Sequence, residues 1–353
     1  MGYLNRMIPN YGIFARALKE FDLGRLVFHA KNNLKTDIFH ARNDYDKEFV
    51  VPNTIYIEPT MECNRRCDGC YSLNTNKKSI MDEKIAQNVF DAASQLPIHY
   101  IAWIGGEPLL PSVQNIVLGV SEDNPKVTSV FCTNGDFLDE KVAERISGNY
   151  NLVPFLSVDG FRETHNKRRG KESYENVMRA MEYLKNRHAL FGYISTITSQ
   201  NFREVSSERF IDEMIDKGSF ASAYVLFLSN NPHHLQPMPQ QFSEAIGQLN
   251  RLSTNKPLYI LSAEYGRLNG KELINGKRLL GMTVDVGGGV RTERGKRVRN
   301  RISKQDSLLE IIASEEFQSV FRNKANGNSN APDDSGRKSI AEASYRILNH
   351  NLR

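Results

Sequence analysis

The sequence predicts an α/β fold: a partial (β/α)6 barrel with an N-terminal helical extension and a smaller C-terminal region. Three observations carry this. Strand-like and helix-like patterns alternate six times between residue 53 and about 228. Four of the predicted strands run directly into turns rich in Cys, Gly, Asn or Asp. The chain has 353 residues, 40% hydrophobic and 25% charged, which suits a large packed core and excludes a disordered or fibrous chain.

The elements follow in order. Residues 53–58 (NTIYIE) form the first strand, and a cysteine-rich loop follows. The first helix spans 80–96, with Ser79 as N-cap and Ile85, Val89, Ala93 and Leu96 on one face. Residues 99–104 form a strand ending in Gly105-Gly106-Glu107-Pro108, and 109–120 read as a helix. The third strand, 126–132, ends in Thr133-Asn134-Gly135; Leu138, Val142 and Ile146 mark its helix. The fourth, 152–158, ends in Asp159-Gly160, and Tyr174, Val177, Met178, Met181 and Leu184 form the next helical stripe. Residues 191–198 are the fifth strand, followed by a helix around Phe210, Ile211, Met214 and Ile215, and 223–228 are the sixth. Repeated strand–helix units imply a parallel sheet with right-handed crossovers. Six units fit an open barrel better than a closed eightfold one. Ligands bind at the carboxyl ends of such strands, so all four turns face one rim.

The predicted division is residues 1–50 as extension, 51–230 as barrel core, 231–322 as C-terminal region and 323–353 as a flexible tail. In the extension, Ile13, Phe14, Ala17, Leu18 and Phe21 are amphipathic, which suits a helix packed on the barrel or one lying on a membrane surface. Residues 241–252 and 307–322 read as helices, and 323–336 is rich in Asn, Ser, Pro and Gly. From Arg291 to Arg301, six of eleven residues are basic and one is acidic, either a solvated loop or a clamp for an anionic substrate. Gly287-Gly288-Gly289 suits a lid or a hairpin turn.

No apolar run approaches the roughly 18 residues of a membrane helix. The start, MGYLNRMIPN, does not read as a secretory signal. Four cysteines exclude a disulfide scaffold. A net charge of +5 without aromatic interleaving gives no reason to expect nucleic acid.

Three of the four cysteines, Cys63, Cys67 and Cys70, fall within eight positions (MECNRRCDGCY), and Cys132 stands apart. A closed zinc site wants four ligands, commonly two spaced pairs, and the second pair is missing. A four-iron cluster held by three thiolates leaves one iron for an outside ligand. A zinc knob or three inert thiols are the other readings. Trp103 reads as strand core, Cys132 as a small core residue or a catalytic thiol or hydrogen donor near the rim, and His99, His233 and His234 as core or surface residues without metal spacing.

C-x3-C-x2-C followed by Tyr71 resembles the signature of the radical S-adenosylmethionine (SAM) enzymes, and the likeness covers about residues 53–228. It implies a TIM-like partial barrel, a [4Fe-4S] cluster on Cys63, Cys67 and Cys70, and SAM chelating the fourth iron. Gly105, Gly106, Glu107 and Pro108 then form the turn that binds the SAM amino group. Thr133 and Asn134 belong to a turn similar to the family's TNG turn. Ser157-Val158-Asp159-Gly160, with His165 and Arg168 downstream, resembles another family stretch. On that likeness Ser157 contacts the ribose and Arg168 the carboxylate, with Arg169 a rival, while Asp159 orients SAM or substrate or caps its turn.

The implied chemistry is reductive cleavage of SAM to a 5′-deoxyadenosyl radical, fed by a reductant such as flavodoxin or ferredoxin. The radical abstracts hydrogen from, or adds to, an organic substrate that is a small molecule, a lipid or a peptide, with an anionic or lipid-like one in view and peripheral membrane contact allowed. Residues 307–322 resemble the helix near the end of the SPASM and twitch subgroup, but 276–301 lacks that subgroup's auxiliary-cluster cysteines, so one cluster is expected. The alternative class is a non-catalytic iron–sulfur or zinc protein.

Overall fold

The computed structural model describes residues 11–21, 23–42, 51–74, 79–98, 100–229, 231–262, 281–292, 297–303 and 306–322. The tail after 322, the basic residues 293–296 and His99 lie outside the described residues.

Two helices precede the sheet, α1 (Tyr11–Glu20) and α2 (Leu23–Arg42). The barrel then runs β1 (Thr54–Ile57), α3 (Glu83–Gln95), β2 (Tyr100–Trp103), α4 (Gln114–Asp123), β3 (Ser129–Thr133), α5 (Glu140–Gly148) and β4 (Leu152–Ser157). It continues with α6 (Arg162–Arg169), α7 (Ser173–Asn186), β5 (Gly192–Ile197), α8 (Phe202–Val205), α9 (Glu208–Asp216) and β6 (Ala221–Leu226). Then come α10 (Pro239–Asn255), β7 (Tyr259–Ser262), β8 (Gly281–Val284), β9 (Gly289–Thr292), β10 (Arg297–Arg301), α11 (Leu308–Ala313) and α12 (Glu315–Arg322).

Among the described residues one ten-stranded sheet holds all the strands, in the order β10-β9-β8-β1-β2-β3-β4-β5-β6-β7. Eight neighbours, from β8 through β1 to β7, are parallel, and β9 and β10 continue antiparallel. The sheet is open, with β10 and β7 at its edges. The six expected strands are present in sequence order. Two short parallel strands, β7 and β8, extend the set on either side; like β1 and β2 they have four residues each, but no motif turn marks their ends in the sequence.

Several local expectations change. The first helix is capped by Asp82, whose side chain accepts from Lys84 N, not by Ser79. Residues 79–81 are instead tied back to the loop after β1: the Thr60 hydroxyl donates to Ser79 O, and Met81 N donates to Pro59 O. The helix read over 109–120 starts at Gln114, because Glu107 and Leu110 form turns first. The helix read over 307–322 is two: Ser314 takes extended geometry, ends α11, and its Oγ accepts Phe317 N to start α12. Most of the basic run lies on strands: Arg291 is on β9, paired with Glu58, and Arg297, Arg299 and Arg301 are exposed on β10. The triple glycine closes the β8–β9 hairpin, with Gly288 at φ 77°.

The core sits between the sheet and its outer helices. Trp103 is fully buried there, with Nε1 donating to Ser129 Oγ and its ring tilted against Phe90 of α3. The N-terminal helices cross the amino end of the barrel. Arg16 of α1 donates to the carbonyls of Ser219, Pro257 and Ile215, while Ile13, Ala17 and Phe21 pack with Phe220 and Tyr259. Arg25 of α2 reaches Ser147 O before β4. The amino end is thereby covered, and the carboxyl rim is left for chemistry.

Candidate active site

Because β1 to β4 are parallel, the segments after them meet at one rim, and hydrogen bonds lock them together. The loop after β1 carries Cys63, Cys67 and Cys70, all free thiols. Gly106 N donates to Thr60 O and Glu107 N to Glu62 O, both at 2.8 Å, so the glycine turn after β2 lies directly on the cysteine loop. A Cβ on Gly106 would overlap the Glu62 carbonyl, and Gly105 has φ 104°. Glycine is required at this close approach. Gly106→Ala is expected to cost about 1–3 kcal/mol and to displace the cysteine loop. Thermal unfolding together with iron content after reconstitution would measure both effects.

Glu107 is 2% exposed. Its Oε1 accepts the Thr133 hydroxyl (2.7 Å) and Leu109 N (3.0 Å), and its Oε2 accepts Asn134 N (2.8 Å). Burial pushes this carboxyl up to about 7, against those three donors, which favour the ionised form. The turns after β2 and β3 are thus one unit. Asn134 Nδ2 also reaches Asn64 Oδ1 (2.9 Å) and the Cys63 sulfur (3.8 Å). Two residues that the sequence reading passed over belong here. Arg65, between the cysteines, binds both oxygens of Asp136 (2.5 and 2.6 Å), immediately after the TNG turn. Their placement inside and beside two recognised motifs was the available signal.

Burial raises the Cys63 thiol to about 11, and the nearby charges of Glu107, Cys67 and Cys70 push the same way. Cys67 is raised by burial too, partly offset by the guanidinium groups of Arg169 and Arg168. Two cations thus stand beside Cys67 and favour its thiolate.

The fourth turn supplies those cations. Asp159 is fully buried and ion-paired with Arg168 and with Arg169 (2.5 Å), and its Oδ1 accepts Thr196 N of β5. The expected stretch Ser157–Asp159…Arg168 is therefore joined in space. Asp159 serves as the anchor of both arginines, a partnership that the sequence did not disclose. Arg168 Nε is buried without a hydrogen-bond partner among the described residues. Asp68 N donates to Arg168 O (2.9 Å), linking α6 to the cysteine loop. Ser157, 9% exposed, lies at the carboxyl end of β4.

These features fit an iron–sulfur cluster with an amino-acid-like ligand. They comprise three free thiols on one short loop, a glycine cradle closed to any side chain, a buried carboxylate and an orphaned guanidinium N–H.

The concave face of the sheet leads down from this rim. Along β3, β5 and β6, Val130, Cys132, Ile194, Thr196, Ala223 and Val225 are partly exposed, while the residues between them are buried, Leu226 excepted. Cys132 is therefore on the concave face and not closed in the core; burial and Glu107 push its thiol up to about 12. His233 and His234, read from sequence without a site, come to Asp68 of the cysteine loop.

Residues 57–205 match the family profile described as the radical SAM superfamily. This segment is a radical SAM domain. Its cofactors in that family are a [4Fe-4S] cluster and SAM. The sequence is 24% identical over 149 residues to the Fe-coproporphyrin III synthase of Methanosarcina barkeri, covering 41% of this chain and 37% of that protein. It is 24% identical over 184 residues to the mycofactocin maturase MftC of Mycolicibacterium smegmatis, covering 51% of this chain and 44% of that one. The chain thus aligns to well under half the length of these curated relatives. Among solved structures, Streptococcus suis SuiB bound to S-adenosylmethionine superposes with TM-score 0.62 at 13% identity, over 78% of this chain and 68% of that one. The enzyme anSMEcpe with bound AdoMet gives 0.60 at 19%, over 86% and 96%. Both share the open barrel of the radical SAM fold.

Proposed function

We propose that this radical SAM protein cleaves SAM reductively at a [4Fe-4S] cluster and applies the resulting radical to an organic substrate in a biosynthetic pathway. The observation that supports this reading is the meeting of the cysteine loop, the Gly105–Glu107 turn and the Asp159-anchored arginines at one rim. When bound, the cluster and SAM supply a 5′-deoxyadenosyl radical. The chain's own residues do the rest. Cys63, Cys67 and Cys70 hold the cluster, and Gly105, Gly106 and Pro108 let backbone approach SAM. Glu107, steadied by Thr133 and Asn134, keeps a carboxylate near the SAM amino group. Arg168 Nε is the free donor for the SAM carboxylate, and Ser157 is placed for the ribose.

The concave strand positions Val130, Ile194, Ala223 and Val225 are apolar, and no charged side chain alternates with them on β3, β5 or β6. A largely uncharged part of the substrate therefore meets the radical, and charges stay at the rim. A peptide side chain satisfies this, and SuiB has been captured with its precursor peptide SuiA. We read residues 231–322 as a twitch-like region without a cluster, since Cys132 is the chain's only cysteine beyond Cys70. A flavodoxin or ferredoxin would supply the electron. Among the described residues no helix is long and apolar enough to cross a membrane.

Anaerobic reconstitution with iron and sulfide tests the reading. About four irons per chain, and 5′-deoxyadenosine released from SAM with dithionite, are expected. Tight zinc without SAM cleavage would establish the non-catalytic metal protein instead.

A further inference from the structure

We infer that the segment between β6 and α10 is a clasp on the cysteine loop, with Phe227 and His234 as positioning residues for the Cys67–Cys70 half of the cluster site. The inference rests on reading those cysteines as cluster ligands.

Asp68 and Gly69 are the two residues between Cys67 and Cys70. The buried Phe227 ring lies flat against Gly69, so close that a Cβ there would be 2.6 Å from Phe227 Cζ. Gly69 has φ 71°. Beside it, His234 Nε2 stands 2.9 Å from Asp68 Oδ2 and His233 Nε2 3.6 Å from Asp68 Oδ1. The two imidazoles stack with centroids 4.7 Å apart, and His233 packs on Phe227 at 5.0 Å. The clasp has its own frame. Ser199 N donates to Leu235 O, Ser199 Oγ donates to His234 O, and Gln236 N donates to His233 O. On its other side the same loop is held by Asp68 N on Arg168 O.

Two histidines and a carboxylate also suggest a cation site, but the hydrogen bonds speak against it. Leu235 N donates to His233 Nδ1 at 3.2 Å, which places the ring proton on Nε2, facing Asp68. That nitrogen then carries a hydrogen and has no lone pair for a metal. What the contacts provide is fixed geometry for two of three ligands, and an aromatic wall over the backbone between them. Outer contacts of this kind tune how firmly ligands hold their metal.

The test uses the full chain, reconstituted without oxygen, and follows the loss of cluster absorbance after an iron chelator is added. His234→Ala and Phe227→Leu are expected to load as much iron as wild type but lose it about fivefold faster or more. His234→Gln, which keeps an N–H donor toward Asp68, should stay within about twofold of wild type. The reduced-cluster EPR signal should broaden in the two loosened variants only. Loss rates and spectra unchanged in both would overturn the clasp. So would one zinc bound by the Cys63→Ala/Cys67→Ala/Cys70→Ala protein and released by adding His234→Ala, since that marks a cation site. A wild-type chain that takes up no iron would instead sink the cluster reading, a separate outcome.

Discussion

Replacing any one of Cys63, Cys67 or Cys70 by alanine is expected to bring SAM cleavage to background and to prevent a full four-iron cluster from forming, while the protein remains folded. The three thiols sit on a rim loop whose shape is set by other contacts: Gly106 N on Thr60 O, Arg65 on Asp136 and Asn134 on Asn64. None of these bonds passes through a sulfur. Loss of one small thiol should therefore change the stability of the cluster-free protein by no more than about 1 kcal/mol. Cys132→Ala is the control. It lies on β3, two strands from the β1 that leads into the cysteine loop, and is expected to retain the cluster and its spectrum. Iron content, the visible spectrum and 5′-deoxyadenosine release would be measured for all four variants. A single-cysteine variant that still cleaves SAM at the wild-type rate would remove those sulfurs from the mechanism.

The rim was legible because strand polarity does most of the placing. Once β1 to β4 are parallel, the residues just after each strand share one end, and a motif's position in the alternation fixes its place in space. The same logic explains what stayed hidden. Asp68, His233 and His234 are far apart in sequence, and their meeting depends on the path of the segment after β6, which has no periodicity to read. The Asp159–Arg168–Arg169 triad was half visible. Its residues lie within eleven positions, but HNKRRGK reads as a solvated helix end, and only burial turns it inward. Strands β7 and β8 were missed because, unlike the equally short β1 and β2, neither runs into a cysteine cluster or a Gly-Gly-Glu-Pro turn that marks a strand end. Ser79 was mistaken for a cap because local sequence favours it, whereas the tie between Thr60 and Ser79 O is tertiary.

Asp159→Asn is expected to have the largest effect on stability, about 3–5 kcal/mol. The carboxylate is fully buried, and the side chains of Arg168 and Arg169 are 11% and 12% exposed. Asparagine can still accept Thr196 N, so the backbone tie between the fourth turn and β5 survives, but two guanidinium groups lose their counter-charge. His165 cannot replace it; its Nδ1 accepts Asp159 N, and burial lowers its pKa to about 3. The pH dependence separates this loss from a packing defect. Burial alone would raise the Asp159 pKa, but the two arginines outweigh it and hold the carboxyl well below the ordinary aspartate range. A group with a depressed folded-state pKa contributes stability that is fully present above its unfolded value, about 3.9, and is lost as pH falls below that. Urea unfolding should therefore show a constant gap between wild type and Asp159→Asn from pH 7 down to about 4. Below that the gap should narrow, because wild type gives up the stabilisation that the variant never had. A gap of the same size at every pH would mean that the ion pairs contribute nothing and that the loss is a packing defect of the buried amide.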